Sequence, residues 1–321
     1  MFEISLVIPV KNEEKSIISL YNSIKNQSLQ PNEIIIVDGG STDKTIEIIE
    51  QLILNDSRIK LIKLKHAYPG TGRNEGVKNS NNNIIAFTDA GIILDKNWLS
   101  ELIKPIINDK SVDVVFGLRL MKKNNLFLEC ADLVYGNPFK KVDGFLISPF
   151  IANSIMKKSV WETVGGFPDF RAGEDHIFMN KILDNKNFKA KYNPKAIVYW
   201  EFPSNFKSLF EHFSEYSFHD ILSGRWKVWH YPLFRIYLIV LIIICVSIVW
   251  NVYLLFLIPL GIILRVYRKF YKNKAFKEML DIKKVIISIL ILLVLDLSCF
   301  NGTFRYFLNY FKQKLIERLK N

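Results

Sequence analysis

Cysteine is scarce in this 321-residue chain: Cys130, Cys245 and Cys299 make no CxxC pair. That excludes a disulfide scaffold and a cysteine-built zinc site. Acidic residues are outnumbered too, 31 Asp and Glu against 43 Lys and Arg, for a net charge of +12. A surplus of that sign suits a polyanionic partner or an anionic membrane surface. There is no internal repeat. Met1-Phe2-Glu3-Ile4 has no basic stretch ahead of an apolar core, so no cleavable signal peptide is expected. Apolar residues are abundant: 50% hydrophobic and 13% aromatic against 23% charged exclude a disordered chain. Residues 1–230 read as a soluble α/β domain. Residues 231–321 read as a membrane domain, with apolar segments at about 233–264 and 285–300 around a basic linker at 265–284.

Ile34-Ile35-Ile36-Val37 predicts a strand buried on both faces, running into Asp38-Gly39-Gly40-Ser41-Thr42-Asp43. An open α/β sheet binds ligands beyond the carboxyl ends of its strands, which puts Asp38 where a ligand lies. Its carboxylate can accept from a nucleobase N–H or from ribose hydroxyls, with Gly39 and Gly40 clearing the approach. The same residues also suit a plain strand-to-helix turn capped by Thr42. Upstream, Ile4–Val10 is a strand and Asn12 a helix cap, followed by the core stripe Ile17, Leu20, Tyr21 and Ile24. Downstream come a helix with Ile46, Ile49 and Ile53 and a strand over Ile59–Leu64. This β-α-β-α-β order implies parallel strands joined by right-handed crossovers.

Pro69-Gly70-Thr71-Gly72-Arg73-Asn74-Glu75-Gly76 contains Gly-x-Gly, but lies too late in the chain for a dinucleotide fingerprint. It suits a helix start whose amides and Arg73 face a phosphate, or a surface salt bridge for Arg73. Ile84–Asp89 is a second strand ending in aspartate, so Asp38 and Asp89 are expected in one crevice. Asp95 reads as the N-cap of a helix bearing Trp98, Leu102 and Ile106. Val112–Phe116 is a further strand. Leu118–Phe150, poorly periodic and rich in lysine, reads as an acceptor-side excursion. Gly173-Glu174-Asp175-His176 opens a helix, by itself an acidic N-terminal turn.

Taken together, residues 4–220 resemble the family 2 glycosyltransferases of the GT-A fold. The likeness rests on Leu6-Val7-Ile8-Pro9-Val10-Lys11-Asn12-Glu13, Val37–Asp43, Arg73-Asn74-Glu75-Gly76, Thr88-Asp89-Ala90-Gly91 and Gly165-Gly166-Phe167 with Gly173-Glu174-Asp175. It implies a Rossmann-like, mostly parallel central sheet, a nucleotide-diphosphate sugar donor and inversion at the anomeric carbon. Pro9, Asn12, Glu13, Asp38, Gly40, Ser41, Arg73, Asn74, Asp89 and Gly91 would bind the donor. Asp89 would stand at the diphosphate and its divalent cation, Mg²⁺ or Mn²⁺. Asp175 would be the general base, with Glu174, His176, Arg225 and Trp226 on the acceptor side. Where the family usually reads Asp-x-Asp, this chain has Asp89-Ala90-Gly91, so a second carboxylate is missing. Glu201 or a histidine is a substitute ligand; metal independence and an inactive protein are the other readings. Gly39, where many relatives carry Asp, is a milder departure. His212, Glu215 and His219 share one helical face, as a metal site or as a polar face toward acceptor or headgroups. Arg225-Trp226 is similar to the end of the Gln-x-x-Arg-Trp motif of processive synthases. Leu222 replaces the glutamine, which favours transfer of a single sugar.

Leu233 to Leu264 carries one charge, Arg235, and is long enough for a tight pair of spans meeting near Asn251. Val285–Leu295 is a third apolar run, crossing or re-entrant. The basic linker and the use of nucleotide sugars both favour a cytoplasmic catalytic domain on a multi-pass protein of the plasma membrane. The expected activity is transfer of one sugar to a lipid-linked acceptor, a polyprenyl phosphate or glycolipid. A processive polysaccharide synthase and a non-catalytic membrane scaffold are the alternatives. Nucleic acid is not an expected partner, because the basic residues concentrate beside the apolar spans.

Overall fold

A computed structural model describes residues 3–135 and 140–320, so part of the Leu118–Phe150 stretch lies outside the described residues. The chain divides into two compact units. The first comprises residues 1–122 and 138–201, the second 123–137 and 202–321. Hydropathy placed the boundary at 230; packing within the second unit places residues 202–230 with the apolar helices.

In chain order the first unit begins β1 (Ile4–Val10), α1 (Ile17–Lys25), β2 (Glu33–Asp38), α2 (Thr45–Asn55), β3 (Ile59–Lys63) and α3 (Pro69–Lys78). It continues β4 (Ile84–Phe87), β5 (Ile92–Leu94), α4 (Trp98–Asn108) and β6 (Val114–Met121). After α5 (Leu126–Tyr135), which belongs to the second unit, come β7 (Lys140–Val142), β8 (Phe145–Ile147), β9 (Ser154–Lys157) and α6 (Lys158–Val164). α7 (Glu174–Leu183) and β10 (Ala190–Trp200) complete it. Eight strands form one sheet in the order β3-β2-β1-β4-β9-β6-β10-β5, and β7–β8 is a separate hairpin. β3, β2, β1 and β4 are parallel, as the β-α-β order implies. β9 is antiparallel to both β4 and β6, and β5 is antiparallel to β10, so the sheet is mixed beyond β4.

Both faces of the sheet are covered, which is why β1 and β2 are continuous apolar runs rather than alternating ones. Ile4, Leu6 and Ile8 pack with Ile17 and Leu20 of α1, Ile49 of α2 and Trp98 of α4. Val7, Ile35 and Val37 pack on the other face with Val77 of α3, Val160 of α6 and Phe178 of α7. Trp98 is fully buried and donates through Nε1 to Asn153 Oδ1 at 2.7 Å.

The second unit holds α5, α8 (Phe206–Leu222), α9 (His230–Val249), α10 (Leu257–Lys272) and α11 (Ile282–Lys320). α8 packs along α11, where Ser217 Oγ donates to the Cys299 carbonyl at 2.9 Å. α9 and residues 282–314 of α11 are long and apolar enough to cross a membrane. The apolar stretch of α11 carries a buried acid, Asp296, held by Arg265 of α10 at 2.7 and 3.0 Å and by Tyr237 Oη of α9 at 3.0 Å. That network lets one carboxylate sit among apolar helices without an unpaired charge.

Candidate functional site

β2 and β4 lie on either side of β1 and run parallel to it, so Asp38 and Asp89 emerge at the same edge of the sheet. Asp38 is buried, and its carboxylate accepts the amide of Gly40 at 2.9 Å, the amide of Ser41 at 3.1 Å and the Ser41 hydroxyl. The carboxylate thereby fixes the loop, and Gly40 completes the turn at φ 88°. The loop after β1 is tied to the loop after β2. The Asn12 amide donates to Ser41 Oγ and Asn12 Oδ1 accepts from the Thr42 amide, both at 2.8 Å. Asn12 therefore bridges two loops instead of capping α1, whose N-cap is Ser16. The Glu13 amide donates to Thr45 Oγ1 at 2.7 Å. Burial first, and the charges of Asp89 and Asp43 after it, raise the Glu13 carboxyl above its ordinary range. Pro9 is buried at the end of β1, where Gly72 of α3 approaches it.

Gly70, Thr71 and Gly72 lie inside α3, and Gly76 packs so closely on Val7 that a Cβ there would overlap it. Glycine serves here to bring a helix down onto a strand. Arg73, expected toward a phosphate or on the surface, is instead buried, with a side chain 3% exposed. Its Nη2 grips both Asp89 oxygens at 2.7 and 2.8 Å, and its Nη1 donates to Glu174 Oε1 at 2.9 Å. Phe167 lies 5.6 Å from the guanidinium and stacks on Phe178 of α7. Arg73 Nε finds no partner among the described residues. Asn74, expected at the donor, is engaged elsewhere. It accepts from Trp161 Nε1 at 2.8 Å and from the Phe167 amide at 2.9 Å, and donates to the Phe167 carbonyl at 2.8 Å. It fixes the Gly165-Gly166-Phe167 turn.

Glu174 opens α7 and is buried rather than lining an open acceptor face. Burial, then the neighbouring Asp175 charge, push its carboxyl up to about 7, against the pull of Arg73. Asp175 and His176, in the same turn, are half-exposed, and Asp175 Oδ1 accepts the His176 amide at 2.7 Å. One guanidinium thus joins the carboxylate after β4 to the first turn of α7. No local signal in the sequence announces this pairing, because Arg73 and Glu174 are far apart in the chain.

Gly91 adopts φ +80°, and a Cβ built there meets nothing within 4 Å. Glu201 is exposed and pairs with Lys122 at 3.4 Å. Among the described residues no group of three or more His, Cys, Asp or Glu is placed to hold a metal ion. Asp89 is the one carboxylate at the turn and both its oxygens accept from Arg73 Nη2, so the protein offers few donors and a cation there would take most of its ligands from substrate oxygens. Mg²⁺ is commonly held that way, by one or two carboxylates and phosphates. Arg225 and Trp226 lie in the second unit, Arg225 beside Asp220 at 3.5 Å and Trp226 edge-on to Tyr231. Glu215 pairs with His219 at 3.0 Å and Arg305 at 2.9 Å, which suits the polar-face reading of that helix.

The sequence model described as Glycosyl transferase family 2 matches residues 5–147. The O-antigen chain rhamnosyltransferase WbaN of Salmonella anatum is 27% identical over 192 residues, 56% of this chain and 59% of that protein. The dolichyl N-acetyl-alpha-D-glucosaminyl phosphate 3-beta-D-2,3-diacetamido-2,3-dideoxy-beta-D-glucuronosyltransferase of Methanococcus voltae is 30% identical over 213 residues, 60% of this chain and 65% of that protein. The chain thus spans about three fifths of the length of these curated relatives. The mannosyltransferase PcManGT of Pyrobaculum calidifontis, solved with GDP-Man and Mn²⁺, shares the fold. Its TM-score is 0.62 over 90% of this chain and 86% of that one, at 15% identity.

Proposed function

Starting from a chain that belongs to the family 2 glycosyltransferases and has their GT-A fold, we propose that it moves a single sugar from a nucleotide-diphosphate sugar to a lipid-linked acceptor, with inversion. The acceptor is a polyprenyl phosphate or glycolipid, met at the cytoplasmic face of the plasma membrane by a multi-pass protein. The observation that carries this reading is the Asp89–Arg73–Glu174 chain, which ends beside the half-exposed Asp175.

Asp175 is the general base. It takes the proton from the acceptor hydroxyl as the oxygen attacks the anomeric carbon, while the bond to the diphosphate breaks on the opposite face. Such a base contributes about 10²–10⁴-fold. Its neighbour Glu174 does not compete for this role, since Arg73 occupies it in the interior. With a lipid phosphate as acceptor the nucleophile is already anionic, and the base matters less. The loops joined by Asn12, Ser41 and Asp38 hold the nucleoside. Asp89 stands at the diphosphate, where it would help hold a divalent cation; when bound, that ion neutralises charge on the leaving group. The relatives act on sugars, one on a dolichyl-linked phosphate by its name, which supports a lipid-linked acceptor. The two long apolar helices support membrane association.

The test is donor turnover by the full chain in detergent, with a panel of UDP-, GDP- and dTDP-sugars and a membrane lipid extract, with Mg²⁺ or Mn²⁺ and then with EDTA. Nucleotide release with a labelled lipid is expected. Release that persists in EDTA removes the cation from the scheme. No release from any donor by folded protein favours a scaffold, the reading to which Gly91 lends weight.

A further inference from the structure

The exposed face of α10 changes character halfway along the helix. Leu257, Leu260 and Leu264 are exposed through its first half, and Arg268 and Lys272 follow them at helical spacing on the same face. Val266 and Phe270 are the residues that α10 buries within its unit. Beside the exposed stripe stands Lys269, half-buried and one turn after Arg265. An apolar half followed by a cationic half complements an amphiphile with an anionic head.

The acids of this part of the unit are already engaged. Arg265 and Tyr237 hold Asp296, and Lys284 takes both Glu278 and Glu129. Asp281 accepts the amides of Lys283 and Lys284. Arg268, Lys269 and Lys272 make no ion pair among the described residues. Burial, then the charges of Lys272 and Arg265, push the Lys269 ammonium down to about 8. Cations crowded in this way, one of them partly desolvated, leave an excess of positive charge that an anion relieves. The stripe is open along its length, which suits a layer of lipid headgroups better than one small soluble anion.

We propose that α10 is a docking surface for acidic phospholipids, with acyl chains along Leu257, Leu260 and Leu264 and the headgroup phosphate on Arg268, Lys269 and Lys272. The Arg268 fork can take two phosphate oxygens, while the lysines supply point charges. A docked lipid fixes the depth of the helix, with Leu264 below the phosphates and Arg268 among them. This inference rests on the membrane association proposed above and is independent of the sugar-transfer chemistry.

The test titrates the full chain in detergent with phosphatidylglycerol or with phosphatidylcholine of the same acyl chains, counting bound lipid by native mass spectrometry. Wild type is expected to retain phosphatidylglycerol preferentially. The double variant Arg268→Gln, Lys272→Gln should hold phosphatidylglycerol about thirtyfold more weakly and phosphatidylcholine as before. Its melting profile without lipid should match wild type, since neither side chain has an ion pair to lose; if it melts lower, the single variants carry the test, each about fivefold weaker. Equal retention of the two lipids by wild type, or an undiminished preference in the variants, overturns the inference. Farnesyl phosphate is the third probe: displacement of phosphatidylglycerol by it at matched concentration assigns the stripe to a lipid-linked phosphate and overturns the phospholipid assignment. Flotation with phosphatidylcholine vesicles separates the two readings. A wild type that floats but shows no preference loses the lipid site alone, and one that does not float with vesicles of either lipid loses the membrane reading as well.

Discussion

At the scale of single residues, the site separates two adjacent carboxylates by environment. Asp175→Asn is expected to lower transfer to a hydroxyl acceptor about 10²–10⁴-fold while donor affinity stays near wild type. Equal transfer rates in the two proteins would remove Asp175 as the base. Glu174 has a different signature. A carboxyl raised to about 7 in the folded chain holds its proton more tightly there than in the unfolded chain, whose glutamates titrate near ~4.3. The stability it contributes is fully present below the unfolded value and is lost as pH rises through about 7. Wild type should therefore lose melting temperature relative to Glu174→Gln between pH 5 and pH 8; a gap that stays constant across that range would contradict the burial argument. Arg73→Met strips Asp89 and Glu174 of their shared countercharge. Breaking such a buried pair costs about 3–5 kcal/mol, so a large fall in melting temperature is expected, with Arg73→Lys intermediate because it lacks the fork. A methionine variant that melts like wild type would mean the pair contributes nothing net.

At the scale of elements, much was written in local pattern. The stripe Ile17, Leu20, Tyr21 and Ile24 is the buried face of α1, and the Ile34–Val37 run is a central strand because both its neighbours and both its faces are protein. Residues that act across the sheet were not legible. Asn12 and Asn74 look like cap and ligand in sequence, but their amides satisfy loops that only the fold brings near. The Gly-x-Gly stretch carries the same ambiguity, since glycine admits a phosphate and a neighbouring backbone alike. Gly76→Ala separates the two uses. A methyl group at Gly76 collides with Val7, so overpacking should cost about 1–3 kcal/mol, read as a lower melting temperature of the folded chain. An unchanged melting temperature would mean that α3 shifts freely on β1, contrary to a packing role for its glycines.

At the scale of the whole chain, composition already divided a charged α/β part from an apolar part, but the cut fell at a different residue. Hydropathy reads 202–230 as polar because α8 carries Glu211, His212, Glu215 and His219. Its other face, with Leu209, Phe213 and Ser217, is buried within the second unit, and only the tertiary contacts of α8 with α11 reveal that. The end of α9 supports the proposed membrane association. Ile248, Val249 and Trp250 are 79%, 89% and 83% exposed, and side chains of that kind are not left to water over a whole helix. The full chain should therefore float with membranes on a density gradient after alkaline carbonate treatment. A chain ending at residue 230 should not float. Flotation distinguishes anchoring from aggregation, which matters because in the shortened chain α8 loses α11 and exposes Phe213 and Leu209. A truncated chain that still floats would place the membrane contact before α9, and a full chain stripped off by carbonate would make α9 and α11 the cover of a protein interface instead.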